Sequence, residues 1–444
     1  MSSLTHHARR WVLVSVLAAG VVVASSTAAS ASSNSSANAR SRTGKSSSKL
    51  VEAVITAFTG PESFIGGVLS AGAYPAVYAI NKAGGVLGHD FAVTTVDTRG
   101  DPADALPLVE RFLSTASNLV GVCGTDGATA NQLLPVFNEH KLTMISDVGS
   151  SNFDHTHLQY FWRLVSPDPA NGLAMAEWAK QKGYKRVALV FGTDTTAQGD
   201  LPGIEYGVKH LGLDVVANIS LTPDQPSYQS DAATLLAGHP QAIFTEEDAT
   251  TAGTFFGDVA QLGTVPPIIG DSGTIENGWL SAVSAAMGSS TFTADYTGLT
   301  PAPAKTTPAH AAWVSAVKGA ASHVLKPANQ WFNEPYAEAE YDGLMMQALA
   351  MIESKSTNPT VFNKYIESVS EPGPGKVTVY NFAAGKAALL AGKKIRYVGV
   401  SGPIAFNQWH NYYGNQAAVR FPQGTLSSEK VVGLVLAKTI ESAG

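Results

Sequence analysis

The stretch Val120 to Phe137, VGVCGTDGATANQLLPVF, contains residues that suit three different chemistries. Cys123, the chain's single cysteine, would be a nucleophile only with a neighbouring base or cation and some exposure. No His or Lys adjoins it, and it ends the apolar run LVGVC, so a buried, inert thiol is expected. The turn Gly124 to Thr129 lacks the Lys-Ser/Thr ending of a P-loop and the G-x-G-x-x-G spacing of a dinucleotide loop, and no cofactor is expected. What remains is a strand-to-helix turn of small residues whose exposed amides and helix dipole suit a carboxylate. The dipole contributes only about 0.3–1 kcal/mol, so several hydrogen bonds must accompany it. Asp154, His155 and His157 lie close together in DHTH, but no third ligand stands at metal-site spacing. No G-x-S-x-G elbow is present, and the scattered Ser, His and acidic residues do not make a triad. These residues point to binding and not to catalysis.

The elements that must position this turn alternate regularly. LVEAVITAF, FAVTTVDT, LVGVCG and LTMISDVG read as strands. GGVLSAGAYPAVYAINKAGG, PADALPLVERFLSTA and ATANQLLPVFNEH read as the helices between them. Strands alternating with helices at this spacing favour βαβ units and a parallel sheet covered on both faces. After YFWRLVSPDPANG the pattern restarts with LAMAEWAKQKGY, RVALVFGTD, LPGIEYGVKHLG and LDVVANISL, followed by two more helix–strand pairs ending at QAIFTEE and PPIIGDSG. The restart argues for two α/β lobes. GVCGTDGATA in the first half is echoed by LVFGTDTTAQG in the second, each a strand ending in Gly-Thr-Asp before a helix. Ligands of parallel α/β sheets bind beyond the C-terminal strand ends, so the two loops could face each other across a cleft. STFTADYTGLTP reads as extended, YAEAEYDGLMMQALAMIES as a helix with an apolar stripe at Leu344, Ala348 and Met351, and the section from Tyr397 as hairpin-rich.

A length of 444 residues fits two lobes, and charged residues are only 14% of the chain. A net charge of −6 gives no electrostatic reason to expect nucleic acid or an anionic membrane as partner. One cysteine excludes an intrachain disulfide. HHARR, the apolar run Trp11 to Ala24 and the small residues up to Ala31 form the tripartite pattern of a secretory signal peptide, residues 1–31. An uncleaved anchor is the alternative reading, although the run is short against the ~20 residues of a bilayer span. No cysteine follows the run, which argues against a lipoprotein. Residues 32–49, rich in Ser, Asn, Arg and Lys, read as a disordered tether.

From Leu50 to about Asn411 the chain resembles extracellular solute-binding proteins of the branched-chain amino-acid (Leu/Ile/Val) type. The resemblance is carried by TAFTGPESFIGG, AINKAGGVLGHDFAVTTVDTRGDPADALPLVERFL, GTDGATA, KLTMISDVGSS, YFWRLVSPDPANGLAMAEW and VSGPIAFNQWHN, in that order along the chain. It implies a periplasmic-binding-protein class I fold: two Rossmann-like lobes with parallel-rich sheets joined by a three-segment hinge. Crossovers near Ser166, Ala294 and Ser401 would give lobe 1 residues 50–165 and 295–400, and lobe 2 residues 166–294 and 401–444. The resemblance assigns the ligand's carboxylate to Gly127, Ala128 and Thr129 with Val148, Gly149 and Ser150. Amino-acid binders usually carry a serine where this chain has Gly127. On the second lobe it points to Gln198, to Asp248 and to the Asp271-Ser272 pair, where an acid would receive an ammonium group; solvated loop acids are the alternative. Phe64 and Tyr336 stand at aromatic wall positions, with core packing as the alternative. The implied protein is a monomeric, non-catalytic receptor that works outside the cytoplasm. It would deliver an amino acid or related carboxylate to an ABC permease in the cytoplasmic membrane. A sensing ectodomain of the same fold is the other reading.

Overall fold

The computed structural model describes residues 48–60, 63–302, 308–414, 416–421 and 427–432. The stretch read as a signal peptide and, except for Ser48 and Lys49, the tether lie outside these residues. The first lobe is built by β1 (Leu50–Thr56), α1 (Ser63–Lys82), β2 (Phe91–Asp97), α2 (Pro102–Thr115), β3 (Leu119–Cys123), α3 (Gly127–Glu139), β4 (Thr143–Ser146) and β5 (Phe161–Arg163). Its strands lie in the order β2-β1-β3-β4-β5, every pair parallel.

The second lobe follows as α4 (Asp168–Lys182), β6 (Arg186–Gly192), α5 (Thr195–Gly199), α6 (Leu201–Leu211), β7 (Asp214–Leu221), α7 (Gln229–Ala237) and β8 (Ala242–Glu246). It continues with α8 (Ala249–Leu262), β9 (Ile268–Gly270), α9 (Asn277–Met287), α10 (Ser289–Asp295) and β10 (Tyr296–Pro301). The chain then adds α11 (Pro308–Gly319), α12 (Pro335–Ser354), β11 (Val377–Val379), β12 (Ile395–Tyr397), β13 (Gln416–Arg420) and β14 (Ser427–Val432). The second sheet runs β14-β13-β10-β9-β8-β6-β7, parallel from β7 to β10 and antiparallel at β13 and β14.

Successive strand residues point to opposite faces, and both faces of each sheet are covered. In the first lobe Val54, Cys123 and Ile145 pack with α1 and α12, while Ala53, Ile55, Val122 and Met144 pack with Leu133 and Phe137 of α3 and Val109 of α2. In the second, Val190, Ile243 and Ile268 face α8 and α9, and Leu189, Phe244 and Ile269 face α4 and α6. The expected stripe Leu344, Ala348 and Met351 is buried, but α12 also buries Glu338, Glu340, Asp342 and Gln347, so it runs through the core and not along a surface.

Two boundaries differ from those expected. The crossover placed near Ala294 comes after Pro301, because β10 pairs with β9 and β13 inside the second sheet. STFTADYTGLTP is therefore extended only from Tyr296, its first half being α10. The crossover placed near Ser401 comes after Asn411, which still bridges Arg163 at the edge of the first sheet, before β13 joins the second. Asp342 of α12 anchors the approach to it, accepting from Tyr397 Oη at 2.7 Å, Val400 N at 3.1 Å and Ser401 N at 2.7 Å.

Candidate functional site

The candidate residues gather at the C-terminal ends of the parallel strands of both sheets. The turn after β3 is held by Asp126, which caps α3. Its Oδ1 accepts from Thr129 N at 2.9 Å and Thr129 Oγ1 at 2.7 Å, and its Oδ2 accepts from Thr98 Oγ1 at 2.6 Å. A chain carboxylate thus already occupies part of the helix end expected to receive a ligand's carboxylate, and it uses the Thr129 amide. The amides of Gly127 and Ala128 have no acceptor among the described residues. Cys123 is fully buried under this turn, Sγ 3.9 Å from Glu52 Oε1, and burial raises its thiol pKa, as an inert thiol requires.

The second first-lobe loop, Val148 to Ser150, is shaped by a residue that the sequence reading passed over. Arg163, at the end of β5, is wholly buried and donates from Nη1 to the carbonyls of Gly149 at 3.1 Å and Ser150 at 3.0 Å. Its remaining donors go to Asn411 Oδ1 and to the carboxylate of Asp154. Asp154 of the DHTH stretch is thereby an ion-pair partner, and His155 packs its ring against Trp409. An arginine inside the apolar run YFWRLV was the available signal. Ser150 Oγ has one weak bond, from Asn152 N at 3.4 Å, and Val148 is buried.

Across from these loops, β6 runs into its own Gly-Thr-Asp turn, and Asp194 caps α5 through the amides of Thr196 and Ala197. The two echoing turns meet: a Cβ placed on Gly127 would lie 3.3 Å from Thr196 Oγ1. Gly149 likewise touches Asp168 at the start of α4, where an added Cβ would overlap Oδ1. Gln198 turns inward, Nε2 donating to Gly192 O at 2.5 Å. Asp271 and Ser272, just past β9, are buried, with Asp271 Oδ1 accepting from Gly273 N at 2.8 Å. Tyr336, in the first turn of α12, donates to Ser272 Oγ at 2.6 Å and so joins the two lobes.

Two expected residues are exposed, unlike the other expected ones. Asp248 is exposed and caps α8, its Oδ1 accepting from Thr250 N at 2.9 Å and Thr251 N at 3.0 Å. Phe64, in the first turn of α1, is 52% exposed, which excludes core packing for it. The sequence reading also did not foresee an acidic floor. Asp200 and Glu246 are buried beside Asp271, and Asp168 lies against Gly149 and Gly199. Burial raises all four: Asp271 to about 6, Asp168 to about 7, and Asp200 and Glu246 well above the usual carboxylate range. Repulsion from neighbouring carboxyls adds to the rise at Asp168, Asp200 and Glu246, Arg163 opposes it at Asp168, and hydrogen bonds oppose it at Asp271.

A surface hollow of about 430 Å³, lined by residues that include His157, Gln408 and Trp409, lies at the outer edge of the first sheet and takes in none of these residues.

The fold is matched among known proteins. The sequence pattern of the family described as periplasmic binding protein covers residues 53–387. A Leu/Ile/Val-binding protein homolog of Brucella melitensis biotype 1 is 22% identical over 193 residues, 43% of this chain. That match spans about half of the relative's length, 52%. A leucine binding protein, LivK, of Thermotoga maritima superposes with a TM-score of 0.67 at 17% identity, covering 86% of this chain and 99% of that one. The branched-chain amino acid binding protein LivJ of Streptococcus pneumoniae, solved with isoleucine, gives 0.68 at 17% identity over 87% of this chain and 100% of that one. A solute binding protein of R. palustris solved with benzoate gives 0.66 at 14% identity, covering 87% and 97%. At these identities the structures speak for the class I periplasmic binding protein fold. Through the family pattern, spanning residues 53–387, the chain belongs to the periplasmic binding protein family.

Proposed function

We propose that the protein is an extracytoplasmic, non-catalytic receptor that captures a small polar solute between its lobes and hands it to an ABC permease in the cytoplasmic membrane. The observation that carries this reading is the meeting of two Gly-Thr-Asp turns from separate sheets, Gly127 facing Thr196, with Tyr336 bonded to Ser272 beside them. Loops at strand ends that touch across two lobes form a site that hinge motion opens and closes. The ligand is an amino acid or a related carboxylate. Its anionic end takes the amides of Gly127 and Ala128 and the hydroxyl of Ser150, and its cationic end faces Asp271. Val148, Gly149, Gln198 and Ser272 line the space between, Phe64 and Tyr336 supply aromatic wall, and Asp248 lies at the margin. The protein acts as a monomer.

The test is a thermal-shift screen of amino acids and small carboxylates against the full chain, followed by calorimetry on hits. A ligand that binds the native state raises the midpoint increasingly as its concentration exceeds Kd. A concentration-dependent rise is expected, and a flat response across the whole panel would overturn the reading.

A further inference from the structure

Asp200, Glu246 and Asp271 converge more tightly than the capture of one ammonium group requires. One carboxylate oxygen from each lies within 4.8 Å of the others. The three residues are only 1%, 8% and 3% exposed. The sheet brings two of them together: Thr245 pairs with Gly270, so Glu246 and Asp271 leave β8 and β9 side by side. Asp200 enters from the junction of α5 and α6. Asp271 is supplied with donors by Ser272, Gly273 and Thr274. Asp200 is not: among the described residues its carboxylate receives no hydrogen bond, and Oδ2 is buried without a partner. The ion pairs seen among the described residues, Arg99–Asp104 and Arg163–Asp154, leave the cluster without a cation.

A buried carboxylate with neither donor nor counter-charge is costly unless a proton or a cation joins it. Asp168 adds a fourth acid at the lobe boundary, between Gly149 and Gly199. A zwitterion with one ammonium group answers one of these charges and leaves the others facing it. We propose that the cleft selects a solute carrying at least two positive charges, a diamine or a basic amino acid, whose cationic groups rest against Asp200, Glu246 and Asp271. This rests on the receptor reading above; a basic amino acid narrows its ligand class, and a diamine replaces the carboxylate-bearing ligand by a purely cationic one. Burial, joined by repulsion at Asp200 and Glu246, raises the empty cluster's affinity for protons, so a cation displaces protons on entry and binds more tightly as pH rises.

The full chain, in EDTA-treated buffer, is titrated calorimetrically with 1,4-diaminobutane, L-lysine, L-leucine and benzoate, and separately in metal-free buffer with CaCl₂. Expected is binding of 1,4-diaminobutane or L-lysine at least ~10-fold tighter than of L-leucine, a gap of about 1.4 kcal/mol. Asp200→Asn should remove that preference while its unliganded midpoint stays level or rises. Glu246→Gln serves should Asp200→Asn fail to fold, and tighter binding at about pH 8 than at pH 6 is a readout that needs no variant. Binding of L-leucine or benzoate as tightly as the diamine would overturn the inference and leave the receptor reading standing. A calcium response lost in Asp200→Asn, with no diamine binding, would overturn it in favour of a metal site. Silence from every probe would overturn both.

Discussion

Asp126 shows how much of a binding turn can be used by the chain itself. Its carboxylate takes the Thr129 amide and the Thr98 hydroxyl, which leaves Gly127 and Ala128 as the open amides of α3. Asp126→Ala removes an N-cap and should lower stability by about 1 kcal/mol, read as a lower urea midpoint at unchanged slope. Ser150 is the converse case. Its hydroxyl carries one long bond from Asn152 N, so Ser150→Ala should move stability by less than about 0.5 kcal/mol. If the hydroxyl holds the ligand's carboxylate, affinity falls roughly fivefold, the worth of about 1 kcal/mol for one hydrogen bond. Unchanged calorimetric affinity would remove Ser150 from the site.

At the scale of elements, closure depends on how α12, α4 and the strand-end loops meet. Tyr336 of α12 reaches Ser272 of the other lobe at 2.6 Å. Tyr336→Phe keeps the ring and deletes that bond, so the closed form loses about 1 kcal/mol and ligand affinity drops several-fold, with the thermal midpoint of the unliganded chain little changed. Gly149→Ala is harsher. Its Cβ would overlap Asp168 Oδ1, so the loop after β4 and the start of α4 must part, and small-angle scattering with ligand should show no compaction. An ordinary compaction would mean that this contact plays no part in closure. Most strands and helices were legible because parallel strands buried on both faces read as apolar runs such as VALVF. The Gly-Thr-Asp echo was legible for a related reason, since each strand runs into a turn whose aspartate caps the next helix. Ser289–Asp295 misled because small polar residues fit a short helix as readily as an extended crossing, and the partner of β10 is set by packing far along the chain. Of the acidic floor only Asp271 was legible. Glu246 and Asp271 come from the ends of two strands and Asp200 from the junction of two helices, and nothing local in DLPG, TEED or GDSG announces that they meet.

Over the whole molecule, buried acids set the direction of pH dependence. Burial raises Glu52 and Glu247 from 4.5 to about 8 and Asp271 from 3.8 to about 6. Hydrogen bonds from Gln347 to Glu52 and from Trp279 to Glu247 offset only part of the rise. Between the lower and upper values the folded chain holds protons that the unfolded chain releases. The native state therefore binds more protons, and stability is complete below about pH 4 for these groups and lost as pH climbs through 6 to 8. Each such group contributes about 1.4 kcal/mol per pH unit across its window. Among the described residues Asp97 and His410 oppose the trend on the acid side, as Lys386 does at alkaline pH. Asp97 is held low by bonds from Thr59, Phe58 and Arg99 that outweigh its burial, and burial lowers His410, so both lose stability toward acid. The buried acids are more numerous, and the thermal midpoint of the unliganded chain should fall on the order of 5 °C between about pH 5.5 and 8. Glu52 is buried in the first lobe beside Gln347 of α12, outside the acidic cluster, and Glu52→Gln should flatten part of that slope in every state. Saturating 1,4-diaminobutane should flatten a different part, that of Asp200, Glu246 and Asp271, because the cation takes over from the protons. A midpoint that rises toward pH 8 without ligand would mean that these carboxyls are ionised in the folded chain and that the floor already has its counter-charge.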